Sequence, residues 1–192
     1  MRRRGWAAVI AAVAIGALAV SGCSKDDPAP TAFVVGDSLT VGAEIGGLGR
    51  DGSLTVDAKE GRTTEQGVPI IEATDLAGYD RVIVALGTND YTDTAAGFAP
   101  KIDQVMEAIG PDVPVTWVNA DSGTPKLSPT ADGVNAALAA AGDRYPNLTI
   151  ADWDAYINAR ADVDDLRSGD QVHDTAAGYR VRAEWMAALA NG

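Results

Sequence analysis

Cysteine and histidine each occur once in the 192 residues, as Cys23 and His173. A lone cysteine excludes an intrachain disulfide, so an exported fold has to rest on its packed core. It also leaves a catalytic zinc without its usual partners, and only a hard cation such as calcium or magnesium could be held by aspartates alone. No metal and no cofactor is therefore expected. Basic residues are scarce as well: 15 Lys and Arg stand against 27 Asp and Glu, a formal charge of -12. Beyond the first four residues the bases are scattered singly, and a surface this acidic repels phosphate backbones, which argues against nucleic-acid binding. No apolar run approaches the ~20 residues that comfortably span a bilayer, and no internal repeat is evident.

What is present begins with a three-part leader: Arg2, Arg3 and Arg4, then an apolar stretch from Ala7 to Val20, then Val20-Ser21-Gly22-Cys23. A short apolar stretch behind a basic end reads as a signal peptide over 1–22. The run ending in Cys23 resembles the lipobox of bacterial lipoproteins, whose cysteine is lipidated and becomes the new N-terminus. An ordinary small-residue cleavage site with an incidental cysteine is the alternative. The resemblance implies a protein anchored through Cys23 on the extracytoplasmic face of the membrane. Losing the three leader arginines would take the charge from -12 to -15. The polar, proline-containing stretch that follows, within 23–31, reads as a tether of roughly 25 to 30 Å at full extension.

From residue 32 to residue 192 one domain is expected, large enough to bury a sizeable core. Short β-branched runs at Ala32 to Val35, Leu54 to Ala58, Arg81 to Leu86, Val113 to Val118 and Leu148 to Asp152 alternate with helical stretches. The helices are predicted at Thr40 to Gly46, Thr63 to Thr74, Pro100 to Ile109, Asp132 to Arg144 and Ala176 to Leu189. That alternation predicts a three-layer α/β/α fold with a five-stranded parallel sheet. By analogy the order is flavodoxin-like, 2-1-3-4-5, which puts a ligand site at the carboxyl ends of the strands. In the last helix Val181, Trp185, Ala188 and Leu189 recur at helical spacing and are expected to face the sheet.

Three segments at those strand ends can carry chemistry. Gly36-Asp37-Ser38-Leu39 sets a hydroxyl at the mouth of a helix, where it is a helix cap or, given a base, a nucleophile. Leu86-Gly87-Thr88-Asn89-Asp90 offers an uncharged amide suited to an oxyanion, or a turn residue. Asp170-Gln171-Val172-His173 offers an imidazole with a carboxylate three residues earlier that could hold its tautomer. It could equally be an exposed loop histidine, with Asp174 or Thr175 capping the next helix.

Together and in this order, the segments resemble the blocks of the SGNH hydrolases, the GDSL family of esterases and lipases. The resemblance runs from about Ala32 to Leu189. It implies Ser38 as nucleophile, His173 as general base and Asp170 orienting that base. It also implies an oxyanion hole formed by the backbone amides of Ser38 and Gly61 and the side-chain amide of Asn89. Gly61 enters through the run Asp57-Ala58-Lys59-Glu60-Gly61-Arg62 after the second strand, and Gln171 departs from the glycine the family often has. A narrower similarity, to extracytoplasmic SGNH domains that modify cell-wall O-acetyl groups, implies a short-chain acyl or O-acetyl ester as substrate. Trp117, Asn119 and Tyr91 are candidates to stack on or bond a glycan. The alternatives are a surface O-acyltransferase and a silent wall-binding module; no extended apolar lid marks a long-chain lipase.

Overall fold

A stretch buried on both faces needs no alternation of polar and apolar residues, and the strand sequences show almost none. In a computed structural model, which describes residues 31–91 and 94–191, these stretches form one five-stranded parallel sheet in the order β2-β1-β3-β4-β5. The strands are β1 (Ala32–Gly36), β2 (Leu54–Ala58), β3 (Arg81–Ala85), β4 (Val115–Val118) and β5 (Leu148–Ala151). β1 pairs with both β2 and β3, with Ala32 opposite Leu54 and Arg81. The expected strand order holds. The predicted leader, Cys23 and all but the last residue of the tether lie outside the described residues. Thr31, assigned above to the tether, bonds Asp80 through its amide at 2.9 Å and Gly78 through its hydroxyl, so it belongs to the domain.

The helices are α1 (Ser38–Gly46), α2 (Thr64–Glu72), α3 (Ala95–Ile109), α4 (Ser128–Gly142), α5 (Trp153–Asn158), α6 (Val163–Leu166) and α7 (Ala176–Ala188). One core packs Phe33, Val35, Val82, Val84 and Trp117 against Ile71 of α2, Phe98 and Ile102 of α3, and Leu138 of α4. The opposite core packs Val34, Ile83 and Val118 against Ala43 of α1, Trp153 of α5 and Met186 of α7. Successive strand residues alternate between the two cores, as a period of two requires.

Several element ends differ from expectation for local reasons. β5 stops at Ala151 because Asp152 caps α5, accepting from Ala155 N–H at 3.0 Å. β4 starts two residues late because Pro114 has no N–H for the ladder. α3 begins at Ala95, behind a Thr94 cap, and tolerates Pro100 early in the helix. α4 starts at Ser128, with proline in its first turn, where the missing N–H costs nothing. Of the stripe expected on the last helix, Val181, Trp185 and Leu189 pack partly buried against the core and Ala188 is exposed, while the fully buried residues of α7 are Gly178, Arg182, Ala183 and Met186.

Candidate active site

Everything at the site starts from the turn that leaves β1. Gly36 ends the strand, and a Cβ there would overlap the Thr40 side chain, so glycine is required for space. Asp37 is extended and caps α1, its Oδ1 accepting from Leu39 N–H at 2.9 Å. Ser38 is thereby the first residue of the helix, with its hydroxyl free of capping duty. Its N–H is one of the first-turn donors that the helix ladder cannot use.

The loop before α7 brings His173 and Asp170. Ser168 N–H donates to the His173 carbonyl at 2.8 Å and Thr175 N–H to that of Leu166 at 2.7 Å, which closes the loop into a tight turn. Thr175 caps α7 through its hydroxyl, accepting from Gly178 N–H, as one of the two expected capping residues. His173 Nε2 lies 3.0 Å from Ser38 Oγ, and His173 Nδ1 lies 2.6 Å from Asp170 Oδ2. The other Asp170 oxygen accepts from the N–H groups of His173 and Val172, each at 2.9 Å, and from Ser168 Oγ at 2.7 Å. These bonds, the His173 amide foremost, hold the Asp170 carboxyl well below the usual carboxylate range. Gln171, the departure noted above, takes a left-handed φ of 63°. Its carbonyl accepts from Thr124 Oγ1 at 2.8 Å, so glycine's freedom is replaced here by a bond from a neighbouring loop.

On the other side stand Gly61 and Asn89. Gly61 has φ of 70° and open space where a Cβ would be, so conformation rather than room selects glycine. Beside it, Arg62 is buried: its guanidinium donates to the Asp57 carbonyl and carboxylate, both at 2.6 Å, and to the Gly36 carbonyl at 3.2 Å. Asn89 Nδ2 donates to the Arg62 carbonyl at 3.2 Å and, loosely at 3.4 Å, to Asp37 Oδ2. Asp90, whose carboxylate is fully enclosed, accepts from Thr64 N–H and hydroxyl and from Lys101. Arg62 and the Asp90 cluster thus tie three segments together, a role no sequence signal announces beyond a lone arginine next to a loop glycine.

Asp37 is 1% exposed, and burial pushes its carboxyl up to about 6, against the opposing charge of Arg182 and the bonds from Leu39 and Thr40. Arg182 is also buried and lies over the Trp153 ring at 4.7 Å. Asp174, whose carboxyl burial raises too, completes this charged layer behind Ser38.

The side chains open into a cleft of about 480 Å³ that Ser38, Gly61, Asn89, Asp170 and His173 all line. Of the three residues considered for a glycan, Tyr91 stands on the rim, 83% exposed with φ of 49°. Trp117 does not reach the cleft: it is fully buried, and its indole N–H donates to the Leu86 carbonyl at 3.0 Å. Asn119 is occupied with Asp152 at 2.8 Å and with the Asp154 amide at 2.9 Å. Both point inward because they belong to β4 and its exit, where core and cap positions claim them. Among the described residues, no group of three or more His, Cys, Asp or Glu is placed to hold a metal ion.

No protein-family model matches the sequence, and no curated protein matches it. Solved structures do match in fold. The C-terminal catalytic domain of peptidoglycan O-acetyltransferase A from Streptococcus pneumoniae, solved with a methylsulfonyl adduct, superposes with a TM-score of 0.65 at 18% identity, over 83% of this chain and 92% of that one. A lipase/acylhydrolase from Enterococcus faecalis gives 0.62 at 20% identity, over 83% and 94%. A member of the lipolytic protein G-D-S-L family from Veillonella parvula gives 0.65 at 17%, over 84% and 98%. The fold is therefore the three-layer α/β/α arrangement those proteins share.

Proposed function

We propose that this chain is a serine esterase that forms an acyl-enzyme on Ser38. The observation that carries the reading is the unbroken line from Ser38 Oγ through His173 to the Asp170 carboxylate, at 3.0 and 2.6 Å. In the first step Ser38 Oγ bonds to the ester carbonyl carbon while its proton passes to His173 Nε2. Collapse of the tetrahedral adduct breaks the bond to the alcohol, which leaves with that proton. Water then attacks the acyl carbon, gives a proton to His173, and the acid departs as Ser38 regains its hydrogen. Asp170, ionised and acceptor-rich, keeps Nδ1 protonated and steadies the imidazolium.

The amides of Ser38 and Gly61 and the Asn89 side chain are the donors for the carbonyl oxygen as it gains charge, Asn89 trading its 3.4 Å contact with Asp37 for the stronger acceptor. Short acyl or O-acetyl esters suit the site, and Cys23 anchors the domain to the extracytoplasmic face of the membrane by a lipid. The fold likeness to an O-acetyltransferase domain and the exposed Tyr91 on the rim support a second reading, in which a glycan hydroxyl replaces water. A silent binding module has no need of the ordered triad.

A sulfonyl fluoride or phosphonate probe should label Ser38, and Ser38→Ala should abolish turnover of short aryl esters. Labelling at Ser122, Ser128 or Ser168 with Ser38 untouched would refute the assignment. Incubation with acetylated wall glycan, with and without an acceptor sugar, separates hydrolysis from transfer by where the acetyl group ends.

A further inference from the structure

One face of α1 gives the cleft an apolar strip. Ser38 opens α1, and Val41, Gly42 and Ile45 follow at i+3, i+4 and i+7, which sets them in one row along the helix face below the nucleophile. All four line the cleft. The buried residues of the same helix are Leu39, Thr40, Gly42 and Ala43, so along the row Val41 and Ile45 reach the surface with Gly42 buried between them. Ile45 is 74% exposed, and Tyr179 of α7, which also lines the cleft, fills the space a Gly42 Cβ would need. The remaining lining mixes apolar Leu127 and Val172 with polar Glu60, Thr88, Thr130 and Lys126.

We infer that this row is a subsite for an unbranched acyl chain longer than acetyl. The inference rests on Ser38 as the acyl-bearing residue and extends the range of acyl groups it takes. Seven residues of helix from Ser38 to Ile45 rise roughly 10 Å, about the reach of an extended chain of some eight carbons with bonds of about 1.5 Å. The first methylenes lie over Val41, the next over the flat patch where Gly42 meets the Tyr179 ring, and the end of the chain meets Ile45. A fully buried methylene gains about fourfold in binding and one in an open row gains less, so the preference grows gradually with length. The row ends at Ile45, because at Gly46 the helix packs against the Tyr179 backbone and then stops at Gly47. Longer chains have nothing further to cover.

The test measures kcat/KM for aryl esters from acetyl through butanoyl, hexanoyl and octanoyl to dodecanoyl, on the parent protein and on Ile45→Asp and Val41→Ser. Ile45 is exposed, so its substitution should leave folding intact, as circular dichroism will check. The expected result is a parent profile that rises to octanoyl and then levels. In Ile45→Asp the octanoyl-to-acetyl ratio should drop about three- to tenfold. A parent profile falling steadily from acetyl, or an Ile45→Asp ratio equal to the parent's, overturns the subsite while leaving Ser38 as acyl carrier. Failure of every ester together with no probe labelling at Ser38 overturns both readings.

Discussion

Asp37 serves two masters at the scale of one residue: it caps α1 and faces Asn89, yet it is buried with its carboxyl pushed up to about 6. A raised carboxyl means that the fold favours the protonated form. Its contribution to stability is therefore full below about pH 4 and is lost as pH rises through about 6, a swing on the order of 3 kcal/mol. Asp174, raised in the same direction and facing the same Arg182, adds to this slope. Asp37→Asn keeps a capping oxygen and should flatten stability between about pH 4 and 6, leaving the part due to Asp174; urea unfolding at several pH values measures it. Asp170 behaves oppositely, since its carboxyl is held low and stays charged through the range where imidazole titrates. With His173 as base, kcat/KM should decline once the medium is acid enough to protonate the ring, because a protonated ring cannot take the serine's proton. Asp170→Asn should lower the rate throughout and move the remaining acid limb to lower pH. A parent rate flat from about pH 5 to 9 would exclude His173.

Among elements, the loop between β4 and α4 acts as a buttress for the loop that carries His173. Thr124 donates to the Gln171 carbonyl, Lys126 reaches the Asp170 carbonyl at 3.3 Å, and Asp121 takes a forked pair of bonds from Arg167. Thr124→Val keeps the shape but strips the donor from a strained turn, so kcat should fall several-fold with KM little changed, and Thr124→Ser should restore it; steady-state kinetics decides. Nothing in the sequence marks Thr124, because its partner is 47 residues away and the bond is side chain to backbone. The five strands, by contrast, are legible as β-branched runs, Ser38 and Asn89 as polar residues at strand exits, and His173 as the lone histidine just before the last helix. The α5 and α6 helices escaped notice since six and four residues are too short to show a helical period. On α7 the apolar stripe packs against the core except at Ala188, but the buried line also includes Arg182, a residue whose type argues for solvent until the charges of Asp37 and Asp174 around it are known.

For the molecule as a whole, the bond that defines the site joins residues 135 positions apart. Ser38 sits on α1 and His173 leads into α7, and these helices meet closely: a Cβ at Gly42 or Gly46 would overlap Tyr179. Segments open locally at lower cost than the whole unfolds. Esterase activity should accordingly vanish at lower urea than the loss of far-ultraviolet helical signal, with coincident midpoints expected only if α7 opens together with the sheet. The span between the two residues also governs when the protein can act. A chain emerging from the ribosome can build β1, α1 and most of the sheet with its serine hydroxyl still unreactive. Under the proposed chemistry, Ser38 meets its base only after α7 has been synthesised and has docked against α1, so catalysis waits for that step.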